Sequence, residues 1–205
     1  MSDANCDFEQ CGFDSDPITQ FRIWYAAAQA DGRIKIPEAM CLSTVDSQGW
    51  PDARIVLLKE MSDLGFVFFT NGESKKAEEL AGNPRVSLTF YWEPLDRQVR
   101  IQGLAAIVSD AESDSYFAIR PRQSQLAAWA SAQSKPIVTR QELETRYAVY
   151  ETQFTGQPVP RPPHWHGYRV TPKRIEFWMG QPHRLHDRFL YEHKGGRWSV
   201  ARLNP

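Results

Sequence analysis

The sequence predicts an α+β fold that is mainly β, built as one domain on an antiparallel barrel of about six to eight strands. Short runs of β-branched and aromatic residues follow one another directly, with turn-forming residues between them, as in antiparallel sheets. The helical patterns are grouped in one stretch, residues 110–153, instead of alternating with strands. The composition, 41% hydrophobic and 24% charged in 205 residues, is typical of a globular chain large enough to bury a substantial core.

The domain is expected to span residues 16–205, after a flexible segment, residues 1–15, that is acidic and aperiodic. Asp16 and Pro17 predict a helix start, because aspartate caps free N–H groups and proline suits the first helical position. Apolar residues at spacings of three and four extend this helix to about Ala30.

Strands surround one short helix in the first half of the domain. The helix is expected at residues 74–81, before Gly82-Asn83-Pro84. Incomplete alternation of polar and apolar residues indicates strands that are buried on much of both faces. These strands are predicted at residues 40–45, 53–60, 66–70, 85–92 and 98–109.

The second half is expected to hold three helical segments, a loop and a final set of strands. Arg120-Pro121 and residues 134–136 separate the helical segments, and the proline-rich residues 156–163 form the loop. Gly195-Gly196 is expected to join the last two strands. The strands are predicted at residues 167–171, 174–178, 189–192 and 198–202.

The charge balance and cysteine usage exclude several classes of protein. Lys plus Arg is 24 and Asp plus Glu is 25, which argues against bulk attraction to nucleic acid or to acidic membranes. Three cysteines, an odd and sparse set, indicate a reduced protein, and Cys6 and Cys11 lack a second pair that would complete a metal site. We therefore expect no bound metal. No signal peptide and no apolar run of about 20 residues is visible, so we expect a cytoplasmic protein.

Neither common phosphate-binding loop, G-x-G-x-x-G or G-x-x-x-x-G-K-[ST], is present, so bound phosphates would have to be held by side chains. Arg54 and Lys59 bracket an apolar run, but on a regular strand they face opposite sides and converge only at a bulge or a strand end. Ser74-Lys75-Lys76 opens a helix, where N–H groups already favour an anion.

Two further groupings lie in the second half of the chain. Tyr116, Arg120 and Ser124 recur at steps of four, and a bend at Pro121 would let them line one pocket. Residues 184–188 place Arg, His and Arg at alternate positions, hence on one face of an extended segment. Taken singly, each grouping also fits a solvated strand edge, a helix cap or a surface pair.

Several motifs occur together, in one order and spacing, between residues 16 and 205. They are Arg54-Ile55-Val56-Leu57-Leu58-Lys59, Phe69-Thr70-Asn71, Ser74-Lys75-Lys76-Ala77, Asn83-Pro84-Arg85-Val86-Ser87, Arg120-Pro121-Arg122-Gln123-Ser124-Gln125, Phe177-Trp178, and His183-Arg184-Leu185-His186-Asp187-Arg188-Phe189. In this combination the sequence resembles the pyridoxamine 5'-phosphate oxidase family. The resemblance implies an FMN-binding split β-barrel with peripheral helices, homodimeric, with FMN in the cleft between the subunits.

The resemblance also implies which residues bind FMN. Phe69 stands where the family often has tyrosine, so a hydroxyl contact would be lost there. The cofactor-binding set is Arg54, Ile55, Val56, Leu57, Leu58, Lys59, Phe69, Thr70, Lys75, Lys76, Gln98, Gln133, Ser134, Trp178 and Arg188.

The implied reaction oxidises pyridoxamine and pyridoxine 5'-phosphates to pyridoxal 5'-phosphate, by hydride transfer from C4′ to the flavin and reduction of O2 to H2O2. Arg184 and His186 are the implied catalytic residues. Residues 1–15 lack the Arg- and Tyr-containing segment that can cover the substrate in this family. The substrate-binding set is Lys59, Tyr116, Arg120, Ser124, Arg184, Leu185 and His186.

Three alternatives stay open. A related split-barrel oxidase of the phenazine-pathway type would keep the FMN residues and change the substrate-phosphate set. A flavin- or haem-binding split-barrel protein without oxidase activity would bind flavin and give no peroxide. His164 and His166, with His183 and His186, have ligand-like spacing for a metal, although no cysteine lies nearby.

Overall fold

A computed structural model describes residues 12–205 of the chain. The predictions for residues 1–11, including the flexible acidic segment and Cys6 and Cys11, lie outside the described residues. Phe13, which the sequence analysis places in that flexible segment, is only 5% exposed and contacts Trp24, Phe177 and Phe189. In the described part of the chain, every helix is too short or too polar to span a bilayer.

The predicted first helix is confirmed as α1, Pro17–Ala30. The Asp16 side chain caps it by accepting hydrogen bonds from the N–H groups of Ile18 and Thr19. The helix ends at Asp31, whose N–H donates to the carbonyl of Ala27. Local capping therefore determines both ends of α1.

The next strands are β1, Ala39–Val45, β2, Pro51–Leu57, β3, Glu60–Ser62, and β4, Gly65–Asn71. The single strand predicted at 53–60 is wrong, because the chain leaves the β1 ladder after Leu57. The N–H of Lys59 then donates to the carbonyl of Val67, which starts pairing with β4. The predicted strand therefore consists of two segments with different pairing partners, which the local sequence does not reveal.

The middle of the chain follows the prediction closely. Helix α2 spans Lys75–Gly82, and strands β5 and β6 span Arg85–Trp92 and Arg97–Ile107. The three helical segments are α3, Asp110–Ala118, α4, Arg122–Ala130, and α5, Arg140–Gln153, and residues 156–163 contain no regular structure.

The strands predicted at 167–171 and 174–178 form one long strand, β7, Trp165–Met179, which is a second correction. Both halves of β7 pair with β6, and the register shifts between Gln102 and Gly103. At Gly103 a Cβ atom would lie 2.4 Å from the carbonyl oxygen of Thr171. The close approach of the two backbones keeps β7 in the sheet through Pro172. The chain ends with β8, Asp187–Lys194, and β9, Arg197–Leu203, joined at Gly195-Gly196.

All nine strands of the described chain form one antiparallel sheet. The number of strands exceeds by one the upper end of the predicted range of about six to eight. The order is β2-β1-β5-β6-β7-β4-β3, and β8 and β9 extend from β7. The first half of β7 pairs with β4 and its second half pairs with β8 on the same edge. Pro172, which has no N–H, lies between the two ladders, so the sheet divides at this point.

Two apolar clusters lie on either side of this sheet. In the larger one, α1 inserts Phe21 between the rings of Phe66, Phe90 and Trp92. In the smaller one, Phe117 of α3 packs with residues of α4, α5 and the 156–163 loop against Trp165 of β7. The smaller cluster therefore fixes the helices against one end of the sheet.

Glu112 connects α3 to β7 and yields a pH-dependent prediction. Hydrogen bonds from Arg169 and then from Ser109 lower the pKa of Glu112 to about 2. This pKa is lower than the value of about 4.3 in the unfolded chain, so the charged form of Glu112 stabilises the fold. The stabilisation is fully present above about pH 4.3 and is lost as pH falls through about 2. Its side chain is 38% exposed, so solvent screening limits the contribution to about 0.5–1 kcal/mol.

We expect Glu112→Gln to lower the free energy of unfolding by about 0.5–1 kcal/mol at pH 7, with the difference shrinking as pH falls from about 4 to 2. Glutamine retains the capping box with Ser109, so the substitution tests the charge. Urea unfolding at pH 7 and pH 3 measures it, with Glu144→Gln in the exposed pair with Arg140 as the control. A cost that stays the same at both pH values would contradict the linkage.

Candidate functional site

A cavity of about 570 Å³ opens where the ends of β2 and β4 meet the start of α2 and the bend between α3 and α4. Its volume lies in the range of small-molecule sites. It brings together most of the predicted cofactor and substrate residues. Those lining it are Arg54, Ile55, Val56, Leu57, Lys59, Phe69, Thr70, Lys75, Lys76, Tyr116, Arg120, Gln133 and Ser134.

Arg54 and Lys59 line this one cavity although five residues separate them. Arg54 lies on β2, which ends at Leu57, and Lys59 lies after that end, in the short connection before β3 begins at Glu60. The strand end, one of the two arrangements expected from the sequence, brings them together. Leu58, between them, is 4% exposed and lies in the larger apolar cluster instead of lining the cavity.

Lys76 is a buried cation on the wall of the cavity. Its Nζ donates to Thr70 Oγ1 at 3.0 Å, Ser74 Oγ at 3.1 Å and Gln133 Oε1 at 2.8 Å, all of which are neutral acceptors. Burial, followed by the nearby charge of Arg54, lowers the pKa of Lys76 to about 8. A desolvated cation with only neutral partners is stabilised by any anion that enters the cavity.

Arg54 and Lys75 lie between two carboxylates. Asp52 Oδ2 is 2.9 Å from Arg54 Nη2 and 2.8 Å from Lys75 Nζ. Glu79, on α2, is 3.1 Å from Arg54 Nη2 and accepts a 2.5 Å hydrogen bond from Thr44. Arg54 also donates to Thr44, so the guanidinium is held in one orientation beside the cavity.

Aromatic rings and Arg120 also line the cavity. Phe69 stacks on Tyr116 with ring centroids 4.1 Å apart and on Trp165 at 5.1 Å. The Arg120 guanidinium lies 4.7 Å from the Trp165 ring centroid and 5.4 Å from that of Phe117. Burial lowers the pKa of Arg120, and its Nη1 is buried without a hydrogen-bond partner among the described residues. Because Arg120 lines the cavity and this donor has no acceptor within residues 12–205, an anion beside the guanidinium would be stabilised.

Ser124 lies in an adjoining cavity of about 350 Å³, which Arg120, Phe69 and Trp165 also line. The chain bends at Pro121, where α3 has ended and α4 begins, as expected. The expectation that Tyr116, Arg120 and Ser124 line one pocket is wrong, because Ser124 lines only the adjoining cavity. Tyr116 lines the cavity of about 570 Å³, Ser124 lines the adjoining cavity, and Arg120 lines both.

Gln98, Trp178 and Arg188 form a separate group outside this cavity. They are directly paired across β6, β7 and β8, and therefore lie on one face of the sheet. Arg188 Nε donates to Glu176 at 2.9 Å, and one Nη donates to the carbonyl of Asn204. These bonds hold the guanidinium against β7.

Arg184, Leu185 and His186 lie near that second group. The predicted extended conformation of residues 184–188 is wrong at its start, because Arg184 is in a 3₁₀ turn and β8 begins only at Asp187. The backbone φ of His183 is 60° and that of Arg184 is 64°. Left-handed conformations are costly for residues other than glycine and are concentrated at functional sites, which supports a role for this turn.

His186 is oriented by its surroundings. Its Nδ1 accepts a hydrogen bond from the backbone N–H of Gln181 at 3.1 Å, and its ring centroid lies 4.6 Å from that of Trp178. In the neutral ring this arrangement places the proton on Nε2, which is then available as a donor.

Three cavity residues are absent from the sequence prediction: Asp52, Ala53 and Trp165. The alternation of β2 would have included Asp52, two positions before Arg54 and on the same face. Trp165 lies between His164 and His166, which the sequence analysis considered only as possible metal ligands. Within residues 12–205 there is no group of three or more His, Cys, Asp or Glu side chains that could hold a metal ion.

Comparison with known proteins identifies two matching family models. The first, described as "Pyridoxamine 5'-phosphate oxidase", matches residues 27–154, and the second, described as "Pyridoxine 5'-phosphate oxidase C-terminal dimerisation region", matches residues 165–205. A protein of Rubrobacter xylanophilus named pyridoxine/pyridoxamine 5'-phosphate oxidase is 54% identical, over 95% of this chain and 89% of its own. A protein of Cyanothece with the same name is 48% identical, over 100% and 98%.

Two solved structures resemble the fold. PhzG from Burkholderia lata, in complex with tetrahydrophenazine-1-carboxylic acid, is 33% identical and covers 94% of both chains with a TM-score of 0.89. A pyridoxamine 5'-phosphate oxidase-related, FMN binding protein from Nostoc punctiforme is 18% identical, covers 90% of this chain and 97% of its own, and has a TM-score of 0.72, which supports the fold alone. The predicted split β-barrel is thus confirmed, and the chain belongs to the pyridoxamine 5'-phosphate oxidase family.

Proposed function

We propose that this protein oxidises pyridoxamine and pyridoxine 5'-phosphates to pyridoxal 5'-phosphate, with FMN as cofactor and O2 as the final electron acceptor. The main observation is the single cavity whose walls offer two separate sets of anion-binding groups, one around Lys76 and one around Arg120. A phosphorylated cofactor and a phosphorylated substrate need two such sets. The names of relatives that are 48% and 54% identical support the same reaction.

The residues around Lys76 fit the phosphate and ribityl chain of FMN. Lys76 is desolvated with neutral partners, and Arg54 and Lys75 add charge on the same side. Thr70, Gln133 and Ser134 supply neutral polar groups, and the strand Ile55–Leu57 would face the flavin ring. The chemistry that FMN supplies when bound is acceptance of a hydride from C4′ of the substrate and transfer of the electrons to O2, giving H2O2.

Arg120 would hold the phosphate of the substrate together with Lys59, Tyr116 and Ser124. The buried Nη1 of Arg120 lacks a partner among the described residues, and a phosphate oxygen would supply one. The stacked rings of Phe69 and Tyr116 also line the cavity and would contact the substrate beside its phosphate.

The second group of residues supports a homodimer. Gln98, Trp178, Arg184, His186 and Arg188 do not line the cavity of their own chain. Most of them lie in residues 165–205, the stretch that matches the model of a dimerisation region. A partner subunit would bring this group to the open side of the cavity, where Gln98, Trp178 and Arg188 would contact the flavin.

Within that dimer, Arg184, Leu185 and His186 would cover the substrate ring. Arg184 would place its positive charge beside the reacting carbon and hold the ring against the flavin. His186, whose Nδ1 is occupied by the N–H of Gln181, would donate a hydrogen bond from Nε2.

A phenazine-pathway type of oxidation is the second candidate, favoured by the 0.89 TM-score with PhzG. The compound in that complex is a carboxylic acid without phosphate. Arg120, whose Nη1 has no hydrogen-bond partner in the described chain, and Lys59, which lines the same cavity, instead favour a phosphorylated substrate.

The test is anaerobic addition of pyridoxamine 5'-phosphate to the FMN-loaded protein, with flavin absorbance as the readout. We expect bleaching that air reverses, with release of H2O2 and pyridoxal 5'-phosphate. A flavin that stays oxidised with this substrate and bleaches with a dihydrophenazine carboxylic acid would replace the proposal with the second candidate. Protein that fails to retain FMN would contradict both.

A further inference from the structure

The two carboxylates beside Arg54 and Lys75 occupy different positions. Glu79 is buried, with 4% of its side chain exposed, and does not line the cavity. Asp52 lines the cavity, and 34% of its side chain is exposed. One oxygen of Asp52 lies within 2.9 Å of Arg54 and 2.8 Å of Lys75, between both cations. Asp52 therefore takes the place that an oxygen of an incoming anion would take.

We propose that Asp52 is an internal counter-ion that competes with the cofactor phosphate for Arg54 and Lys75, and so sets the affinity for phosphorylated flavin. The inference rests on the proposed function, because it identifies the anion at these cations as the phosphate of FMN. Asp52 is a determinant of cofactor affinity and has no part in the chemical step.

The negative charge of Asp52 should weaken phosphate binding to Arg54 and Lys75. The hydrogen bond from Lys75, with smaller contributions that include the charge of Arg54, lowers the pKa of Asp52, so its carboxylate is charged at neutral pH. A phosphate that binds both cations either displaces this carboxylate or remains next to it, and both arrangements cost free energy. Glu79 also lies near both cations, at 3.1 Å from Arg54 Nη2 and 3.6 Å from Lys75 Nζ, but its side chain is buried and does not line the cavity, so an anion in the cavity does not take its place.

The substitution Asp52→Asn tests this competition between Asp52 and the phosphate. Asparagine keeps the shape and the oxygen that accepts the N–H of Ala53, and removes the charge. We expect the dissociation constant of FMN, measured by quenching of flavin fluorescence at low salt, to fall about tenfold, and the gain to shrink as salt is added. Affinity for riboflavin, which has no phosphate, should stay within about twofold.

Asp63→Asn is the matched control. Asp63 is an exposed aspartate that pairs with Arg22 and does not line the cavity. Its substitution makes the same change in net charge, so we expect no change in FMN affinity beyond about twofold.

The outcomes separate this inference from the proposed function. Unchanged or weaker FMN binding by Asp52→Asn, or an equal gain for riboflavin, would overturn the counter-ion role. If the wild-type protein binds no FMN, the proposed function fails. The counter-ion role is then decided by titration with inorganic phosphate, which Asp52→Asn should bind about tenfold more tightly than wild type; equal phosphate affinity would overturn it.

Discussion

Replacement of Arg184 by alanine is expected to lower the turnover of pyridoxamine 5'-phosphate by a factor of about 10² to 10³, because the proposed function places the charge of Arg184 beside the reacting carbon. Arg184 is exposed, in the described chain, in a turn whose backbone is held left-handed at φ 64°. Such a conformation is unfavourable for arginine and alanine alike, so the substitution removes the guanidinium without a new backbone cost.

The measurement is steady-state kinetics with FMN-saturated protein, together with the dissociation constant of FMN. We expect kcat to fall while FMN affinity changes less than about twofold, since Arg184 would contact substrate. Arg197→Ala, on the exposed start of β9, is the control for loss of one positive charge. Full turnover by Arg184→Ala would remove Arg184 from the mechanism.

Replacement of Lys76 by methionine is expected to weaken FMN binding by about two orders of magnitude, because a desolvated cation that would contact the phosphate is removed. Methionine fills a similar volume and needs no hydrogen-bond partners, so the fold should be retained. Fluorescence titration measures the affinity, and thermal unfolding of the flavin-free protein checks the fold. Lys194→Met, in the exposed pair with Glu192, is the control.

The lowered pKa of Lys76 adds a pH signature to this prediction. A bound phosphate stabilises the charged form of Lys76, while the free protein loses that proton as pH rises through about 8. FMN affinity of the wild type should therefore decline above about pH 8, and Lys76→Met should lack this decline. Identical pH profiles for the two proteins would show that Lys76 does not bind the phosphate.

Elements with local signals could be predicted from the sequence. Asp16 and Pro17 predicted the start of α1, and the spacing of its apolar residues predicted its length. Strand β5, Arg85–Trp92, was predicted with its observed bounds. Proline interruptions predicted where the helices between β6 and β7 are separated. In each case a residue acts on its immediate neighbours, so the local sequence is sufficient.

The two incorrect strand predictions depended on pairing partners. Residues 53–60 were predicted as one strand, yet β2 ends at Leu57 and pairs with β1, and β3 begins at Glu60 and pairs with β4. Residues 167–171 and 174–178 were predicted as two strands, yet β6 pairs with both halves of the single strand β7. Strand boundaries follow from hydrogen bonds to segments that are distant along the chain, and a local pattern does not specify them.

The sequence by itself determined the chemical character of the site: basic and hydroxyl side chains, no phosphate loop, and motifs that resemble one family. Only the tertiary structure decided which of these groups meet. It placed Arg54 and Lys59 at one cavity, left Arg120 Nη1 without a partner in the described chain, and kept Arg184 and His186 apart from that cavity. It also placed Asp52 between two cations. Convergence depends on strand register and on which faces are buried together, and these arise from long-range packing that no local pattern encodes.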